Sequence, residues 1–224
     1  MMQRQVEKII SKPILVVPDA VDIKLFYSHK SKARAKKELG IESEMPMVVY
    51  TGHLYKWKGV DTLARSAKTI GCKAEIYIVG GYDTHVDNMR EKYRELKSVY
   101  FIGHRAQTEV PTWLRAADIL VLPTSASTEI GRCHTSPLKL FEYMASGRPI
   151  IASDVPSTRE ILSEANAFLV APDDPEALAD MIEQILSNYN EAKNRADLAR
   201  ETVKKFSWEN RAVTISEYIV ESFD

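Results

Sequence analysis

The sequence predicts an α/β fold, a doubly wound and mostly parallel sheet followed by a helical C-terminal segment. Three observations predict it. Short apolar runs alternate with longer stretches of helical periodicity along most of the chain. Several runs are apolar throughout, as expected for parallel strands covered on both faces. The last third of the chain carries helical patterns alone.

The elements follow in order. Strands are expected at Ile14–Val17, Met47–Thr51, Ala74–Val79, Val99–Ile102, Asp118–Leu122, Pro149–Ala152 and Ala167–Val170, each a short apolar run. Helical patterns lie between them at Ser31–Leu39, Val60–Ile70, Thr84–Lys97, Thr108–Ala116, Leu138–Ser146 and Ser157–Ser163. Asp174-Pro175 caps a further helix whose Leu178, Met181, Ile182, Ile185 and Leu186 form one apolar stripe. Another helix is expected over Glu191–Lys205. Ser207 then caps a final one carrying Val213, Ile215, Tyr218 and Ile219. The order of strands within the sheet is not readable from these patterns.

The 224 residues allow one large domain or two small ones, and 45% hydrophobic content suits a globular core. A formal net charge of -1 gives no case for a nucleic-acid binder. The start of the chain lacks the apolar run of a signal peptide, and no run approaches the roughly 20 residues that span a bilayer. Cys72 and Cys133 make neither a metal pattern nor a disulfide framework. A reduced, cytoplasmic setting is the simplest reading. The segment from Ser28 to Lys37 is markedly basic, either a solvated helix face or a contact for an anionic acceptor or membrane surface.

The most informative stretch runs from Thr135 to Pro149 and reads as a short helix with both ends marked. Ser136 suits the N-cap, Pro137 the first helical position and Gly147 the left-handed residue past the end. Lys139 sits in the first turn, where the helix dipole disfavours a cation by about 0.3–1 kcal/mol. A lysine there is explained if an anion sits between it and the free backbone N–H groups. Glu142, three residues on, shares its face. A cation, bare amides and a carboxylate on one face suit a ligand with phosphates at one end and a sugar diol at the other. The plainer alternative is a surface ion pair between Lys139 and Glu142, worth roughly a few tenths of a kcal/mol.

A second stretch repeats the layout. The run Met47–Thr51 leads into Gly52-His53-Leu54-Tyr55-Lys56-Trp57-Lys58-Gly59 and then into the helix over Val60–Ile70. Lys56 and Lys58 lie before or at that helix start, again the disfavoured end for a cation. Gly52 and Gly59 would let the backbone turn tightly and approach a ligand. A strand, a glycine-bearing loop and a helix N-terminus make a phosphate-site layout, although neither G-x-x-x-x-G-K-[ST] nor G-x-G-x-x-G is present. Lys58 also reads as an ordinary exposed lysine, His53 and His134 as loop histidines, and Tyr55 and Trp57 as packing.

At these motifs the chain resembles the C-terminal half of GT-B glycosyltransferases, specifically the retaining family 4 enzymes, from about Val16 to the end. Pro18-Asp19-Ala20-Val21-Asp22 is similar to the family's lead-in to its C-terminal domain. Thr51-Gly52-His53-Leu54 through Lys58-Gly59-Val60-Asp61 is similar to its pyrophosphate loop. Ile78-Val79-Gly80-Gly81, Phe101-Ile102-Gly103-His104 and the run from Ala117 to Pro123 are similar to later strand ends. The stretch from Ser136 to Gly147 is similar to the donor-binding helix.

The resemblance implies a Rossmann-like donor-binding domain over residues 14–206 and a C-terminal helix over 207–224. Residues 1–13 would lead in from an N-terminal domain that this chain lacks. It implies transfer of a hexose from a UDP- or GDP-linked nucleotide-sugar to a hydroxyl acceptor, in envelope polysaccharide or glycolipid synthesis, with no cofactor and no bound metal. Lys58 would contact the diphosphate and Glu142 would hold the ribose hydroxyls. The backbone from His134 through Thr135, Ser136 and Pro137 to Leu138 would wrap the diphosphate and the transferred sugar beside Lys139. Gly52 and His53 belong to the pyrophosphate loop, and Gly103 and His104 would lie against the base. Lys58, Glu142 and His134 are the expected catalytic residues. The implied partners are the nucleotide-sugar, an N-terminal GT-B domain in cis or as a separate chain, and a lipid-linked acceptor at the inner membrane face, but no nucleic acid.

Two positions depart from the family. His53 stands where the pyrophosphate loop usually carries arginine, and a histidine titrates near neutrality while an arginine stays charged. His134 stands where many members carry the first of two glutamates. Two other functions fit the same motifs: a nucleotide-sugar binding module without activity of its own, and a GT-B-type nucleotide-sugar epimerase.

Overall fold

The computed structural model describes residues 14–27, 30–133 and 138–223. Six strands form one parallel sheet: β1 (Met47–Thr51), β2 (Glu75–Val79), β3 (Val99–Gly103), β4 (Ile119–Leu122), β5 (Ile150–Ser153) and β6 (Phe168–Val170). Their order is β3-β2-β1-β4-β5-β6. The chain builds outward from β1 to β3 and then crosses back to lay β4 against the free edge of β1, with Val48 opposite Ile119 and Val49 opposite Leu120. Connections leave β1 and β4 in opposite directions. That is the switch point at which open α/β sheets bind ligands beyond the carboxyl ends of their strands.

Among the described residues the helices are α1 (Ile23–Phe26), α2 (Lys32–Glu38), α3 (Val60–Ile70), α4 (Asp83–Lys92), α5 (Val110–Ala116), α6 (Glu129–Cys133), α7 (Leu138–Ser146), α8 (Pro156–Arg159), α9 (Pro175–Ser187), α10 (Tyr189–Val203) and α11 (Trp208–Phe223). They cover both faces of the sheet. Every residue of β1 and β4 is buried, and alternate side chains enter different cores. Met47, Val49, Leu120 and Leu122 pack with Leu114 of α5, Phe141, Tyr143 and Met144 of α7, and Val203 of α10. Val48, Tyr50, Ile119 and Val121 pack with Leu63 of α3 and Leu178, Ile182 and Ile185 of α9. Each such leucine or isoleucine contributes about 1.5–3 kcal/mol by leaving water.

Asp174 caps α9, accepting from the Glu176 and Ala177 amides at 3.0 Å. Ser207 caps α11, accepting from the Asn210 amide at 3.1 Å. The apolar residues expected on the last helix are different in kind from those of α9: Val213, Ile215 and Ile219 are exposed. No helix among the described residues is long and apolar enough to cross a membrane.

Several expectations are corrected. Residues 14–17 form no strand, because apolar character alone makes no ladder. Val16 is exposed, and the nearest sheet-like contact downstream is a single bridge from Val21 to Ser207. The helix expected over Thr84–Lys97 ends at Lys92, after which the chain turns to bury Tyr93 against Phe101. Only Pro156–Arg159 is α-helical within the pattern around Ser157–Ser163. The short α1 and α6 were not legible. The basic stretch is largely tied down internally: Lys32 pairs with Asp118 at 2.6 Å, Lys30 with Glu38 at 2.8 Å, and Lys36 donates to the Ser43 and Met45 carbonyls at 2.9 Å. Those contacts favour the helix-face reading over a free cationic surface for an anionic acceptor or membrane.

Candidate functional site

The two connections that leave the switch point are latched together. Beyond β1, residues 56–58 form a 3-10 turn, and Gly59 opens α3 in the left-handed conformation with φ 68°. Only glycine fits there. A Cβ at this position would lie 1.6 Å from the Pro123 carbonyl oxygen, beyond the end of β4. Two residues on, the Ser125 amide donates to the Trp57 carbonyl at 3.0 Å. Asp173 secures the same loop from the far side. It is the non-glycine residue with a positive φ, 61°, among those described, and its carboxylate accepts from the Ala126 amide at 2.8 Å.

Two ammonium groups converge over this frame. The Lys139 side chain leaves α7 and crosses Gly52, where a Cβ would sit 1.9 Å from its Nζ. Lys139 Nζ donates to Tyr50 Oη at 3.1 Å and lies 4.5 Å from the centre of that ring. Lys58 Nζ rests 3.7 Å over the Trp57 ring, a cation–π contact. Among the described residues neither lysine has an ion-pair partner, and the Lys139–Glu142 surface pair is not formed. Burial lowers Lys58 to about 8. Burial, then repulsion from Lys58, lowers Lys139 to about 7, outweighing the attraction of Glu142. The Glu142 carboxyl is pushed up by burial and partly drawn back by Lys139. Two cations without carboxylate partners among the described residues thus stand beside one half-buried carboxylate, an arrangement that suits an anion carrying hydroxyls.

Two buried phenols from opposite layers of the fold hold the connection after β1. Tyr50, buried on the α3 side, donates its hydroxyl to the His53 carbonyl at 2.7 Å. Tyr143, buried on the α7 side, accepts from the Thr51 amide at 2.8 Å. Burial pushes both phenols up, which keeps their protons in place.

The structure therefore gathers Gly52, His53, Lys58, Lys139 and Glu142 at the carboxyl end of β1. Gly103 and His104 stand at the end of β3. The Gly103 carbonyl accepts from the Gly80 amide at 2.8 Å, and His104 is exposed. Leu138 is exposed at the first described residue of α7, whereas His134, Thr135, Ser136 and Pro137 lie outside the described residues. His53 is exposed, with its ring 5.2 Å from Tyr55 and 5.3 Å from Tyr82. Partial burial, then Lys139 and Lys58, hold its imidazole below the ordinary 6.5. In the ligand-free chain His53 should thus be neutral at pH 7, which an NMR titration of the imidazole reads directly. A midpoint above 6.5 would contradict its place among these cations.

Sequence reasoning missed Tyr50 and Tyr143. The available signal was a phenol in an otherwise aliphatic buried strand, since a buried hydroxyl needs a partner.

This is an α/β domain with two lysines and a glutamate gathered at the switch point of its sheet. Residues 45–188 match the family described as Glycosyl transferases group 1, and the chain belongs to that family. It is 26% identical over 219 residues to the D-inositol 3-phosphate glycosyltransferase of Corynebacterium urealyticum, covering 91% of this chain and 50% of that one. It is 30% identical over 219 residues to the lipopolysaccharide core biosynthesis mannosyltransferase LpsB of Rhizobium meliloti, covering 91% and 60%. The chain thus spans about half the length of the curated relatives it matches first. In three dimensions it resembles sucrose-phosphate synthase of Thermosynechococcus elongatus, with a TM-score of 0.81 at 26% identity, over 99% of this chain and 56% of that one. It also resembles Anabaena HepE, solved in complex with UDP and glucose, with a TM-score of 0.75 at 22% identity over 91% and 55%. The fold is that of the C-terminal half of a GT-B glycosyltransferase.

Proposed function

We propose that this chain is the nucleotide-sugar-binding part of a retaining, family 4 glycosyltransferase. Such an enzyme transfers a hexose from a UDP- or GDP-linked donor to a hydroxyl acceptor in envelope polysaccharide or glycolipid synthesis. The observation that carries the reading is the pair Lys139 and Lys58, two ammonium groups without carboxylate partners among the described residues, converging at the switch point with Glu142 one turn along α7. The lysines fit a diphosphate and Glu142 fits the two ribose hydroxyls. During transfer the bond from sugar to diphosphate breaks, and negative charge grows on the leaving diphosphate. Fixed cations that await that charge stabilise the transition state more than the bound donor. The LpsB mannosyltransferase and the UDP complex of HepE support a glycan-building role and a uridine nucleotide. The acceptor site, and the rest of the catalytic constellation, would lie on an N-terminal domain supplied in cis or as a second chain, because joining two substrates in one geometry is a large part of catalysis.

Glu142→Ala tests the assignment of its two ends. Loss of hydrogen bonds from a charged group should weaken UDP by about 1–3 kcal/mol and leave inorganic pyrophosphate nearly unaffected. Equal calorimetric losses for both ligands would mean that Glu142 supports the fold and not the ribose.

A further inference from the structure

We propose that Tyr50 is a positioning residue for the donor diphosphate, acting through Lys139 and not by touching the ligand; this rests on the function proposed above. One phenolic oxygen joins the two halves of the site. It donates to the His53 carbonyl at 2.7 Å in the connection after β1, and it accepts from Lys139 Nζ at 3.1 Å, whose side chain comes from α7. The ring itself supports the ammonium, 4.5 Å from its centre. Tyr50 is fully buried, so its position is set by the packing of β1 against α3 rather than by the loop it holds. The arrangement is matched on the other side of the gap. Gly52 leaves open the space that Lys139 crosses, and a side chain there would collide with Nζ at 1.9 Å and crowd Tyr50 Oη at 3.3 Å. Tyr143 holds the preceding residue of the same connection through the Thr51 amide.

The hydroxyl does two things that a phenylalanine would not. It gives the loop carbonyl its donor, and it gives a lysine without a carboxylate partner an oxygen on which to rest in the ligand-free state. A site whose charges already point at the diphosphate spends less binding energy on ordering them. The groups that act on Lys139 are Lys58, Glu142, His53 and the phenol Tyr50. Among them Tyr50 makes its hydrogen bond.

The test is a double-mutant cycle on the full chain with UDP as the probe at pH 7. Tyr50→Phe should weaken UDP about tenfold in the wild-type background, the scale of one hydrogen bond to a charged group. In the Lys139→Met background the same change should cost no more than about twofold, since the ammonium it acts through is gone and only the loop carbonyl's donor is lost. Equal losses in both backgrounds, or no loss in either, would overturn the proposal and return Tyr50 to plain packing. Should the wild type bind no UDP, GDP takes its place as the probe, and binding of neither makes the nucleotide reading fail by itself. The Tyr50 assignment is then decided without ligand by NMR titration of the Lys139 side chain. Tyr50→Phe should lower the Lys139 midpoint, because the ammonium loses its acceptor, and an unchanged midpoint would overturn the assignment.

Discussion

Gly59→Ala should destabilise the chain on the order of 3–5 kcal/mol, at the top of the range for single substitutions. Two costs combine. The left-handed backbone at φ 68° disfavours an alanine by about 1–2 kcal/mol. The new methyl would also lie 1.6 Å from the Pro123 carbonyl oxygen and 2.7 Å from its carbon. Both are backbone atoms, so no rotamer change relieves the overlap, and the connections after β1 and β4 must part. The bond from the Ser125 amide to the Trp57 carbonyl, next to Lys58, would be lost with them. For a chain of this size each kcal/mol moves Tm by about 2–4 °C, so thermal unfolding should shift down by roughly ten degrees. Donor affinity should fall as well. A Tm within about two degrees of wild type would show that the latch described here does not hold the loop.

Lys139→Met should have opposite effects on stability and on binding. In the folded, ligand-free chain Lys139 titrates at about 7, against an ordinary 10.5. Below pH 7 the lysine is charged in both states, and the folded state bears the whole cost of holding a charge out of water. Between 7 and 10.5 the unfolded chain binds more protons than the folded one, so stability rises with pH and the cost fades. The methionine variant should therefore be more stable than wild type near pH 6, by an amount that shrinks as pH approaches 10. Binding runs the other way. In the proposed site a charged lysine awaits the diphosphate, and its loss should weaken a nucleotide-sugar by about ten- to a hundredfold at pH 6. Wild-type affinity should fall as pH rises from 6 to 9, first as Lys139 and then as Lys58, at about 8, give up their protons. In Lys139→Met the first fall should vanish. A nucleotide-sugar is the right probe because the terminal phosphate of a free diphosphate titrates near 6 itself. A variant that is both less stable at pH 6 and unchanged in affinity would remove Lys139 from the site.

The parallel sheet was legible because burial on both faces leaves continuous apolar runs, and β1 and β4 are buried at every position. Strand order was not, since it depends on where a crossover lands and not on local pattern. The run at residues 14–17 looked like a strand by the same apolar criterion, yet the ladder that makes a strand is a property of neighbours. The helix Glu129–Cys133 was hidden by its length and its glycine. Gly131 is there for a tertiary reason, as a Cβ would lie 2.1 Å from the Ser125 carbonyl oxygen. In the candidate site, Lys58, Lys139 and Glu142 could be picked out because two cations stood at the wrong ends of helices for stability alone. Tyr50 and Tyr143 could not. In sequence they are aromatic residues inside apolar runs, and only the fold brings their hydroxyls to the loop they hold.

The most direct measurement is calorimetric titration of the chain with UDP, GDP, their hexose conjugates and inorganic pyrophosphate. The chain should bind at least one nucleotide series at submillimolar concentration and more tightly than pyrophosphate, because in the proposed site Glu142 would add the ribose contact to the charges of Lys58 and Lys139. Absence of heat with every nucleotide at millimolar concentration would contradict a nucleotide-sugar-binding role for this site.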